Sequence, residues 1–87
     1  MNRRKLKKNV NYLCGELFAE CVALVQYESV SQESVGSVME SILMMQADII
    51  SRISHVEPGS HRLFFKKLRE DLEQRTSEII DDIQGLG

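Results

Sequence analysis

Cysteine and histidine have the widest chemical reach of any side chains in this sequence, and their spacing limits what they can do. Cys14 and Cys21 stand seven positions apart. On one helix that separation puts their α-carbons about 10.5 Å apart, whereas a disulfide needs less than about 7 Å. The two thiols cannot bridge each other while the helix stands, and their expected role is that of small apolar core residues. A metal site needs further ligands, and no Cys-x-x-Cys or paired-histidine spacing supplies them. His55, Glu57 and His61 flank Pro58 and could approach one another for acid–base or metal work. No carboxylate pair, nucleophile with its base, or glycine-rich phosphate loop accompanies them. His55 is equally explained as a cation near the end of a helix, where the backbone dipole is negative. The expectation is a non-enzymatic protein with no catalytic residue, metal or cofactor.

The remaining chemistry is charge. Arg3, Arg4, Lys5, Lys7 and Lys8 crowd the start, and residues 9–49 then carry only acids. A second basic group follows at Arg52, Arg62, Lys66 and Lys67. If consecutive helices fold back on one another, the two groups meet at one end, and the net charge of −2 conceals a basic end and an acidic end. This end has three readings: surface charge that keeps the protein soluble, a candidate binding site for an anionic partner such as nucleic acid or an acidic protein, since clustered lysine and arginine attract anions, or attraction to the acidic end of another copy. Nucleic acid is the weaker option. There is no tryptophan, Tyr12 and Tyr27 lie outside the basic cluster, and no helix-turn-helix spacing appears.

What must position these groups is a set of three apolar stripes at helical spacing. They predict helices over about 3–27, 34–56 and 60–84. In the first, Leu6, Val10, Leu13, Cys14, Leu17, Phe18, Cys21, Val22, Leu24 and Val25 cover about half the helix circumference. Gly15, Ala19 and Ala23 extend that arc with small residues. Mid-helix glycine costs about 1 kcal/mol relative to alanine, which suggests that another helix approaches closely at Gly15. The second stripe is the most regular: Val35, Val38, Ile42, Met45, Ile49, Ile53 and Val56, widened by Met39, Leu43 and Ile50. Gln46 falls inside it and either sets register across an interface or reaches water from its edge. The third stripe runs through Phe64, Phe65, Leu68, Leu72, Ile79, Ile80 and Ile83, and Arg75 and Thr76 interrupt it. Its heavily charged start marks it as the outermost helix.

Two breaks separate the stripes. Ser29, Ser31 and Ser34 are each possible N-caps for the second helix. Pro58, Gly59 and Ser60 end the second helix and open the third.

These features predict an all-α fold: a single domain over residues 1–87, formed as a three-helix antiparallel up-down-up bundle. The wide first stripe suggests self-association as a homodimer through helices 1 and 2. The candidate packing face comprises Gly15, Phe18, Ala19, Val22, Ala23, Met39, Leu43 and Gln46. A chain of 87 residues buries only a modest core, so assembly would help it. No apolar run is long enough to span a bilayer. The basic start lacks the apolar segment of a signal peptide, because Glu16 and Glu20 interrupt it. The expectation is a bacterial-type cytoplasmic protein acting as a small protein–protein interaction or adaptor module. The alternative is an accessory nucleic-acid-binding protein using the basic end, with a small helical enzyme third.

The three-helix plan at this length resembles the helical chorismate mutases, which form intertwined dimers. That family requires several arginines and a lysine converging on a dicarboxylate inside the bundle. Here the cations lie at one end and on polar strips, so no residue role carries over.

Overall fold

Serine chemistry sets the first corner of the chain. In the computed structural model, which describes residues 3–56, 59 and 61–86, α1 spans Arg3–Tyr27, α2 spans Gln32–Ser54 and α3 spans His61–Leu86. Ser29 takes φ +57°, the left-handed region that favours glycine. This turn ends α1, and the Val30 amide reaches back to the Leu24 carbonyl at 3.3 Å. Ser31 then caps α2: its backbone is extended and its Oγ accepts the Ser34 amide at 3.2 Å. Of the three candidate caps Ser31 is the one used, so α2 begins two residues earlier than the stripe alone suggests. The far end of α2 closes on His55, whose amide donates to the Ser51 carbonyl at 3.1 Å. Its Nδ1 also lies 2.8 Å from that carbonyl, which can only accept, so the Nδ1–H is the donor. Gly59 takes φ +125° in the second connection. Pro58 and Ser60, which with Gly59 mark the break in the sequence, lie outside the described residues, as does Glu57.

The described chain is all-α, without strands among the described residues, and its helices pack as a bundle of 49 × 19 × 16 Å. α2 is the central element. Ile42, Met45, Ile49 and Ile53 are fully enclosed, with Val35 and Val38 beside them. Burying each such side chain is worth about 1.5–3 kcal/mol relative to leaving it in water, so α2 dominates the stability. α1 adds Val10, Cys14, Leu17 and Cys21, and α3 adds Leu68, Ile79 and Ile83.

Contact is most extensive between α1 and α2, intermediate between α2 and α3, and least between α1 and α3. The third stripe is thinner in the folded chain than in the sequence. Phe64 and Phe65 are half-buried and meet edge to face with centroids 5.2 Å apart, while Ile80 is 40% exposed. The methionines divide by helix face: Met45 is enclosed, Met39 half-buried and Met44 exposed. No helix among the described residues is long and apolar enough to cross a membrane.

Candidate functional site

Two seams of the bundle carry polar chemistry, in different ways. Along the α2–α3 seam, Arg52 Nη1 donates to Asp71 Oδ2 at 2.6 Å and Arg75 Nη1 donates to Asp48 Oδ2 at 2.6 Å. The same-helix pairs Arg52–Asp48 and Arg75–Asp71 close a ring at 3.5 and 3.7 Å. Both helices read Asp, then Arg four residues later. Each arginine meets the other helix's aspartate. Just beyond, the Thr76 hydroxyl donates to Met45 Sδ at 3.8 Å. The ring is half-exposed, so it fixes the register of α2 against α3 more than it stabilises the fold.

The α1–α3 seam is open. At its start lies a cleft of about 820 Å³ lined by Arg3 from α1 and by His61, Arg62, Phe65, Lys66, Arg69, Glu70 and Glu73 from α3. A small apolar gap follows between Leu6 and Leu72. Beyond it the seam continues as two shallow depressions of about 300 and 340 Å³. Leu13, Leu72, Thr76 and Ile80 line the first, and Leu13, Leu17, Ile80 and Ile83 the second. Glu16 and Glu20 flank that far end. One groove therefore runs from a net cationic end, where Glu70 and Glu73 stand among the cations, to the carboxylates of Glu16 and Glu20 over a largely apolar floor.

The basic residues singled out by sequence take several different places. Arg3, Arg62 and Lys66 come together in the cleft, and Arg69 joins them. Spacing could have found Arg69, because residues 62, 66, 69 and 73 step by four, three and four along one helix face. Arg4, Lys5, Lys7, Lys8 and Lys67 do not line the cleft. Arg52 is held in the α2–α3 ring instead.

The candidate packing face lies along α1 and α2. Phe18 and Met39 are half-buried against the core. Gln46 donates to Asn11 Oδ1 at 2.8 Å across the α1–α2 seam, so its amide is used inside the chain. Ala23 is half-buried, and Gly15, Ala19, Val22 and Leu43 are exposed. A Cβ built on Gly15 meets nothing within 4 Å. The close approach expected there is not made by another helix of this chain.

Cys14 and Cys21 are free thiols at 1% and 0% exposure. Burial pushes both up from the ordinary value of 9.0, and the Glu20 carboxylate adds to the rise at Cys21. A raised thiol pKa stabilises the fold below the ordinary value, and that contribution is lost as pH climbs through the folded values. Among the described residues no three His, Cys, Asp or Glu side chains group as metal ligands. His55 sits on the Ser51 carbonyl while His61 lines the basic cleft, and Glu57 lies outside the described residues.

Compared with protein-family models, with curated proteins and with solved structures, the chain matches none.

Proposed function

We propose that the chain is a non-enzymatic protein–protein interaction module, folded as an up-down-up bundle and working as a homodimer. The up-down-up order is supported by the α2–α3 pairs. Position 45 lies against 76, 48 against 75 and 52 against 71, so one index rises as the other falls. The short link 28–31 between α1 and α2 favours the same reversal at the first corner. A cytoplasmic setting suits two free thiols.

The observation that carries the interaction reading is apolar surface left in water by a small chain. Val22 on α1 and Leu43 on α2 are 42% and 53% exposed, and Gly15 and the short Ala19 are exposed on the same helix as Val22. Small residues with larger apolar neighbours let another helix approach closely and bury area when it does. This surface is the proposed docking face for a protein partner.

A second reading is favoured by the basic cleft, where Arg3, Arg62, Lys66 and Arg69 could hold the phosphates of a nucleic acid. Glu70 and Glu73 in the same cleft work against it. Sedimentation equilibrium at micromolar concentration, with a single-stranded and a duplex oligonucleotide added in separate runs, tests both readings. The expected result is a dimer whose mass is unchanged by either oligonucleotide at low salt. A monomer would remove the homodimer, and binding that weakens steeply with salt would establish the nucleic-acid reading.

A further inference from the structure

The α1–α3 groove has a polarity that neither the core nor the α2–α3 ring uses. Arg3, Arg62, Lys66 and Arg69 outnumber Glu70 and Glu73 at one end, Glu16 and Glu20 stand at the other, and Leu13, Leu72 and Ile80 lie between them with Glu73 and Ser77 on the rim. We infer that this groove is closed by a second copy of the chain, packed antiparallel across a two-fold axis at the level of Leu13 and Leu72. The inference rests on the homodimer reading and names the surface that forms it. That surface differs from the helix 1 and helix 2 face expected from sequence.

The argument is charge complementarity. A two-fold axis across a groove with unlike ends lays the cationic end of one copy on the carboxylate end of the other, twice over. The contact is therefore self-complementary, as an isologous interface must be. A copy packed in the same direction would instead set cations against cations. The middle meets its own image at the axis, which covers Ile80 and the half-buried Leu13 and Leu72, while the exposed Glu73 on its rim must turn outward toward water. α1 and α3 lie side by side in the same sense, since Arg3 lies with residues 61–73 and Leu17 with Ile80 and Ile83. Antiparallel pairing of two such layers makes a four-helix core, a common way of burying apolar helix faces. It also opposes the helix dipoles. The exposed α1/α2 surface stays outward in this arrangement, available to a different protein.

Charge reversal tests this. Glu16→Lys with Glu20→Lys makes both ends basic, and Arg62→Glu with Lys66→Glu makes both acidic. All four positions are exposed, and circular dichroism checks that each variant stays helical. In sedimentation equilibrium each double variant should dissociate about tenfold or more readily than the parent chain. Mixing the two variants should restore a dimer, because the four reversed positions again face unlike charges. A dimer that ignores both reversals but is lost with Leu43→Glu would overturn the groove and leave self-association standing on the α1/α2 face. A parent chain that is monomeric throughout would overturn both, leaving the groove to a helix of some other protein.

Discussion

The α1–α2 and α1–α3 seams share a helix and differ in almost everything else. Along the first, α1 meets the most regular stripe of the chain, and Val10, Cys14, Leu17 and Cys21 are enclosed. The polar bridge from Gln46 to Asn11 is satisfied within the chain. Along the second, α1 faces a helix whose stripe is thin, and a groove remains with cations at one end and carboxylates at the other. A regular seam supplies stability, whereas an incomplete one leaves surface with a pattern that another molecule can read. The difference separates what holds this chain together from what it leaves exposed.

The sharpest way to break that comparison is to excavate the closed side. Ile49 is 0% exposed, and Ile49→Ala should cost about 2–5 kcal/mol, read as a large fall in the thermal or urea midpoint. Leu13→Ala in the groove should cost the isolated chain much less, because Leu13 is only half-buried. Equal losses would mean that the groove is as much a part of the core as α2.

Gly15→Ala is next in size. Its Cβ would enter open space and the site is helical, so the variant should gain about 1 kcal/mol from propensity alone. If the α1/α2 surface docks a partner closely at Gly15, the same methyl weakens that complex while the isolated chain grows more stable. A gain in stability with unchanged binding would move the partner off this helix strip.

The smallest effect belongs to the charge ring. A double-mutant cycle on Arg52 and Asp71 should return about 0.5–1 kcal/mol of coupling that shrinks with added salt, since both side chains are more than a third exposed. A larger, salt-independent coupling would make the α2–α3 seam a stability element comparable with the α1–α2 seam.

The sequence stripes carried some of this and not the rest. The three helices, and the Val35 to Ile53 seam, follow from local periodicity, which needs no knowledge of neighbours. The width of the first stripe signalled unmet apolar surface, but not which side of α1 would keep it. That depends on how far α3 swings from α1, a matter of the few enclosed residues Leu68, Ile79 and Ile83. Arg75 looked like an interruption of its stripe because its partner, Asp48, stands 27 positions away on another helix. Arg52 was grouped with the basic end for the same reason: a charge is visible in sequence, but its cross-helix partner is not. The cleft cations were half legible, since Arg62, Lys66 and Arg69 share a helix face, while Arg3 joins them only through the fold.

The enclosed cysteines have a consequence for kinetics. A thiol reagent must meet a thiolate in water, and Cys14 and Cys21 offer neither while α1 is seated. Their rate of modification therefore measures how often the first helix lifts from the second, without any introduced probe. The two sit two turns apart on the same stripe, so comparing their rates tells whether α1 peels from one end or leaves as a unit. The two enclosed thiols become an internal clock for the motion of the best-packed seam.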